Sequence, residues 1–169
     1  ALPISDGWLV RINPERPIPP EASRIHGILD ETVRYEPLFA DAAPKFLGQL
    51  EGSQPDAAQL LVGFNAMSFD VPLLNIELVR ACLSPCIDPT RVLDPLIFIR
   101  WHLRHLRDRT LEAICNHYDI SLLHSHSTQG DASATGRLVF RLIAEGFIPA
   151  ETETALQEQA RLSQRLQHE

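Results

Sequence analysis

The stretch Gln59-Leu-Leu-Val-Gly-Phe-Asn-Ala-Met-Ser-Phe-Asp-Val-Pro-Leu-Leu74 decides the fold of this chain. Its first half, Gln59–Asn65, is an apolar run bounded by polar turn residues, the pattern of a buried strand. Its second half enters a helix, because Pro72 suits a first turn and Ser68 or Asp70 can cap it. Leu73, Leu74, Ile76, Leu78, Val79 and Cys82 make that helix apolar enough to be mostly buried. Strands interleaved with helices in this way point to an α/β layer fold.

Upstream, Gly7–Asn13 reads as a short strand ended by Asn13-Pro14, and Arg16-Pro-Ile-Pro-Pro20 as extended chain. Glu21–Gly27 reads as a turn, and Leu29–Thr32 as a further turn or short helix. Pro37–Gly48 carries Leu38, Phe39, Ala42, Phe46 and Leu47 at the spacing of a helix with one buried face, entered at Ala43-Pro44 or just before. Downstream, Arg91–Ile97 is a strand ending near Asp94-Pro95, with Asp94 capping the helix Leu96–Leu106. Thr110 caps another helix to Tyr118, and Asp131–Ile143 forms one that Gly146 ends. Thr152–His168 is polar, with a thin stripe at Leu156, Ala160, Leu162 and Leu166. It reads as a tail helix, a linker or a partner-binding element. Three strands are few for such a sheet.

A length of 169 residues fits one compact domain, and 44% apolar content suits a full core. No apolar run is long enough to span a membrane, and no signal peptide opens the chain. Cys82, Cys86 and Cys115 show no ligand spacing, so free thiols in a reducing cytoplasm are expected. A net charge of -7 argues against a protein that coats nucleic acid. It leaves room for a nuclease whose carboxylates are neutralised by metal.

The chemistry-bearing stretch is His126-Ser-Thr-Gln-Gly-Asp-Ala-Ser-Ala-Thr-Gly-Arg-Leu138. An imidazole on the loop before a helix and a carboxylate in its first turns can converge. The carboxylate then holds a divalent cation and the imidazole deprotonates a water. Alone, His-x4-Asp is a common pattern, and plainer readings stand beside it. Asp70 serves as a helix cap, His126 as a loop histidine, and the arginines at 100, 104, 107 and 109 as a solvated face. His102, His105, His117, His124 and His126 offer no convincing zinc frame.

Taken together, these segments resemble the DEDDh 3'–5' exonucleases, the group of the bacterial polymerase proofreading subunit and ribonuclease T. Asn13-Pro-Glu-Arg-Pro-Ile-Pro-Pro-Glu-Ala-Ser-Arg-Ile-His-Gly-Ile28 is similar to the family segment after its third strand. Val62–Leu74 looks like its second motif, with Asp70 as the metal-associated aspartate. Thr110–Cys115 matches the helix before the last motif, and His126 with Asp131 matches that motif. Phe64 stands where many members have a histidine, and three residues rather than two separate Asn65 from Phe69. The resemblance covers residues 7–147. It implies a ribonuclease H-like mixed sheet flanked by helices, with residues 1–150 as the exonuclease domain and 151–169 as a polar helical tail or linker.

The resemblance further implies hydrolysis at the 3' end of DNA or RNA, releasing nucleoside monophosphates, with two Mg²⁺ or Mn²⁺ ions held by carboxylates. Asp70 and Asp131 would be metal ligands and His126 the general base. Asn65 and Phe69 would shape the second motif, and Ile25 and His26 would lie near the terminal nucleotide. A single-stranded 3' end is the expected substrate, and a polymerase or other protein the expected partner.

One part of the pattern is missing. The family's first motif, an Asp-x-Glu on its first strand, occurs nowhere in the 169 residues. The expectation is therefore a domain whose first two strands are absent from this chain, and whose unpaired strand edges invite a homodimer. Restoring about 25 upstream residues, two strands and a turn, would supply the pair. The alternative is a catalytically inactive module of the same fold that binds nucleic acid or a partner.

Overall fold

The computed structural model describes residues 9–51, 60–83, 87–122 and 128–168. Within them the protein is a helix-rich α/β structure around a small parallel sheet. Strand β1 (Leu61–Val62) pairs with β2 (Val92–Leu93) in the register Leu61↔Val92 and Val62↔Leu93. Between them runs α4 (Asp70–Arg80), so the unit is a parallel pair joined through a helix. Both β2 residues are buried, whereas Val62 of β1 is 43% exposed. β2 therefore lies inside the molecule and β1 lies nearer its surface.

Two apolar clusters surround this sheet. The larger joins α5 (Pro95–His102), α6 (Leu111–His117), α7 (Thr128–Ala144) and α8 (Thr152–Gln167) through Phe98, Ile99, Ile114, Leu138, Leu142 and Leu162. The smaller joins α3 (Phe39–Glu51) and α4 through Ala43, Ala66, Val71, Leu78, Ile87 and Val92. Met67 packs against both clusters and ties them together. Each large side chain so buried contributes about 1.5–3 kcal/mol. Asn75 braces the smaller cluster, its carboxamide exchanging bonds with the backbone of Ile87, 2.6 Å at Ile87 N and 3.0 Å at Ile87 O.

The N-terminal part departs from the sequence reading. No strand forms over 9–12, and Asn13 makes only an isolated parallel bridge to Leu38. Gly7 and Trp8 of the expected strand lie outside the described residues. Leu9 and Val10 are exposed and pair with no strand among the described residues, so their apolar character has no sheet to express itself in. Glu21–Gly27 is not a turn but α1 (Pro20–His26), which Gly27 ends in the left-handed region at φ 70°. A short α2 (Asp30–Val33) follows. Ile18 N donates to Asp30 Oδ1, and Asn13 Nδ2 to Arg34 O, which fold this arm back on itself.

Several helices also differ in detail. α3 begins at Phe39, so Pro44 lies inside the helix rather than at its entry. α4 starts at Asp70 with Phe69 as its N-cap and no side-chain cap, so neither Ser68 nor Asp70 caps it. Only Val71 and Leu78 of α4 are buried, while Leu73, Ile76 and Val79 are exposed. Of the strand expected over 59–65, Gln59 lies outside the described residues, and the strand among the others is Leu61–Val62 because the chain turns at Phe64–Phe69. α5 stops at His102. On α8 the inward residues are Ala155, Gln159 and Leu162, with Leu166 packed beside them, whereas Ala160 is exposed. Thr110 caps α6 as expected, its hydroxyl accepting from Ala113 N at 3.2 Å, and Gly146 follows α7 at φ 74°. Among the described residues, no helix is long and apolar enough to cross a membrane.

Candidate active site

The second motif is a tight turn between β1 and α4. At its start Gly63 has no room for a side chain, since a Cβ there would stand 2.7 Å from Ala66 Cβ. Asn65 then takes a left-handed conformation at φ 62°. Asparagine tolerates this region better than most residues. The carbonyl of Asn65 accepts from Ser68 N at 3.2 Å and Phe69 N at 3.1 Å, and Ala66 O accepts from Val71 N at 2.9 Å. These bonds deliver the chain into the first turn of α4, where Asp70 stands.

A buried carboxylate holds that turn from outside. Asp94 is 2% exposed and accepts from Asn65 N at 2.9 Å, Met67 N at 3.2 Å and Leu96 N at 3.0 Å. The third bond is the helix cap that the sequence indicates; the first two are its unanticipated work. Burial pushes the Asp94 carboxyl above the usual aspartate range, opposed by the three N–H bonds and by Arg100. Behind it, Gln159 accepts from Asp94 N at 2.7 Å and donates to Val92 O at 2.8 Å. Gln159 was hidden among the polar residues of the last segment. Its one local signal is its place between Ala155 and Leu162 on an otherwise apolar face.

The expected site residues fall as follows. Asn65, Phe69 and Asp70 share the turn that Asp94 holds. Phe69 is 63% exposed, and Asp70 is exposed at the helix start. Partial burial raises the Asp70 carboxyl above its usual value, and its own backbone N–H opposes the shift. Asp131 lies in the first turn of α7, where its carbonyl accepts from Thr135 Oγ1 at 2.8 Å. Burial pushes the Cys115 thiol up, and the Asp131 charge adds to the shift; α6 and α7, which carry these two residues, pack against each other. Val139 and Leu138 of α7 pack in the same cluster that Met67 touches, so both motif elements rest on one core.

Ile25 and His26 sit at the end of α1, exposed, with His26 Nδ1 accepting from Ile28 N at 3.0 Å. α1 contributes no residue to either cluster among the described residues. His126 and His124 lie outside the described residues. Among the described residues, no three His, Cys, Asp or Glu side chains gather as a metal site. The arginines near Trp101 are partly engaged: Arg104 stacks 3.9 Å from its ring centre, and Arg109 donates to Leu103 O and Arg104 O.

The fold and the turn thus define a helix-rich α/β protein that presents an aspartate at the entry of a crossover helix, with a second aspartate opening a later helix on the same core. Such an arrangement offers hard oxygen donors. The chain belongs to the RNase T exonuclease family, whose model matches residues 9–139 and so spans both Asp70 and Asp131. This bears out the resemblance to the DEDDh 3'–5' exonucleases.

Similar proteins carry polymerase names. The chain is 29% identical over 140 residues to the PolC-type DNA polymerase III of Caldanaerobacter subterraneus subsp. tengcongensis, covering 83% of this chain and 9% of that one. It is 32% identical over 131 residues to the PolC-type DNA polymerase III of Oceanobacillus iheyensis, covering 78% and 8%. To the DNA polymerase III subunit epsilon of Salmonella typhimurium it is 33% identical over 113 residues, covering 66% and 43%. The matched stretch therefore spans less than half the length of each of these three relatives.

Proposed function

We propose that this chain carries a metal-dependent 3'–5' exonuclease site that releases nucleoside monophosphates from the 3' end of single-stranded DNA or RNA. The observation that carries the reading is the family match over residues 9–139, a span that includes both Asp70 and Asp131. Asp70 and Asp131 are the metal ligands in this reading, and their oxygens suit Mg²⁺ or Mn²⁺. Bound metal would lower the pKa of the attacking water and stabilise the leaving oxygen. His126 takes the water's proton, since an imidazole titrates near neutrality. Asn65 fixes the approach to Asp70, and Phe69 offers an exposed ring at the helix entry on which a terminal base stacks. Ile25 and His26 complete the terminal-nucleotide contact.

The β1–β2 pair belongs, in this reading, to a ribonuclease H-like sheet that continues beyond β1. Residues 1–150 are the exonuclease domain, and 151–169 an accessory helix. A DNA polymerase is the partner that the relatives' names suggest, and the cytoplasm is the compartment of such work. A second reading has one specific observation behind it: the sequence holds no Asp-x-Glu pair, so two carboxylates of the family set have no counterpart in the 169 residues. In that reading the module binds nucleic acid or a partner without cutting, or pairs with a second copy through β1.

Incubation with a 3'-labelled single strand and Mg²⁺ or Mn²⁺ parts the two. Release of labelled monophosphate that Asp131→Ala reduces by about 10³-fold or more supports the exonuclease. His126→Ala is expected to cost about 10²–10⁴-fold. No release, from protein that still retains a labelled strand, supports the binding module.

A further inference from the structure

We propose that Gln159, on the C-terminal helix and beyond the matched residues 9–139, is a positioning residue for the motif that carries Asp70, acting through Asp94. The last step, from motif to activity, rests on the exonuclease reading; the positioning itself does not.

Gln159 is 5% exposed, and both ends of its carboxamide are used on β2. Leu93 O faces β1, since it accepts from Gly63 N at 3.2 Å. The alternation of a strand sends Val92 O and Asp94 N to the opposite edge. Gln159 meets these two groups at 2.8 and 2.7 Å, so one side chain stands where the next strand of the sheet would pair. α8 thereby closes this edge, and sheet growth at these two groups is blocked.

The same bonds fix the backbone of the residue whose side chain holds the site turn. Asp94 grips Asn65 N and Met67 N with its two carboxylate oxygens, one each. Its two oxygens must therefore stay registered against two separate amides. A shift of the β2 end would loosen both bonds together, and Asn65 would lose the outside support for its left-handed backbone. The relay runs from α8 through Gln159, the end of β2 and Asp94 to the turn that delivers Asp70. Arg91, bound to Glu153 at 2.6 Å, pins the first turn of α8 close to the same strand.

A side chain that merely sealed the edge would lower global stability alone. Residue-resolved amide hydrogen exchange separates the two roles, measured on the unsubstituted protein, on Gln159→Met and on Leu162→Ala. Methionine keeps the volume and removes both bonds, while Leu162→Ala loosens α8 and leaves the carboxamide in place. In Gln159→Met the amides of Asn65 and Met67 should exchange at least about tenfold faster than global destabilisation explains. In Leu162→Ala they should follow global stability only. Asn65 and Met67 tracking global stability in both variants would overturn the proposal.

Should Gln159→Met fail to fold, the unsubstituted protein decides. Asp94, Asn65 and Met67 amides that open with one shared free energy support the relay, and unequal protection overturns it. In the monophosphate assay, Gln159→Met should lower kcat by about fivefold or more at unchanged KM. An unsubstituted protein without activity contradicts the exonuclease reading alone, and the exchange data still judge the relay.

Discussion

At the scale of single residues, Asp94 is the side chain on which the site turn depends. Removing it in Asp94→Ala leaves Asn65 N and Met67 N without the carboxylate they donate to, and is expected to cost about 3 kcal/mol in urea unfolding. Its pH signature is distinctive. Burial raises its folded pKa above the unfolded value, so between the two the folded state binds more protons. Its contribution to stability is therefore greatest below the ordinary aspartate pKa and declines as pH rises to the raised folded value. The difference in unfolding free energy between the unsubstituted protein and Asp94→Asn should follow that decline. At two further positions the backbone restricts which residue fits. Gly63→Ala drives a Cβ to 2.7 Å from Ala66 Cβ and should destabilise by about 1–3 kcal/mol. Cys82 closes α4 at φ 55°, exposed, so Cys82→Gly should stabilise by about 0.5 kcal/mol.

At the scale of elements, α3 contains its own defect. Pro44 lies inside the helix, exposed, and cannot donate to Ala40 O, so Pro44→Ala should raise stability by about 2 kcal/mol in thermal unfolding. What the sequence discloses about elements is what local chemistry determines. Thr110 before an apolar run, Asp94 before Pro95 and Gly146 after α7 each act within one turn of chain, and each stands where that chemistry puts it. Pairing is another matter. Gly7–Asn13 reads as a short strand, yet Leu9 and Val10 pair with no strand among the described residues, and β propensity expresses itself only against a partner. α4 carries enough apolar residues to suggest burial of most of its surface, yet only Val71 and Leu78 are buried while Leu73, Ile76 and Val79 are exposed. Gln159 and Asp94 are 65 residues apart, and no local pattern announces that meeting.

At the scale of the molecule, the chain belongs to an exonuclease family and carries a net charge of -7, and carboxylates on so acidic a chain admit an anionic ligand only once a cation neutralises them. The family was legible because the order and spacing of its segments survive along the chain, over the residues 9–139 that the family match spans. Where Asp70 and Asp131 stand depends on tertiary packing, and both motif elements do rest on the core that Met67 and Leu138 share. The central claim is that these two aspartates serve one metal cluster. Titration with Mn²⁺ followed by NMR tests it most directly, because the paramagnetic ion broadens nearby backbone signals whether or not the protein is active. The account predicts that signals at Asp70 and Asp131 broaden together at the same Mn²⁺ concentration, and that Asp131→Ala abolishes the effect at Asp70 as well. Broadening at one aspartate without the other, or at neither, would contradict it.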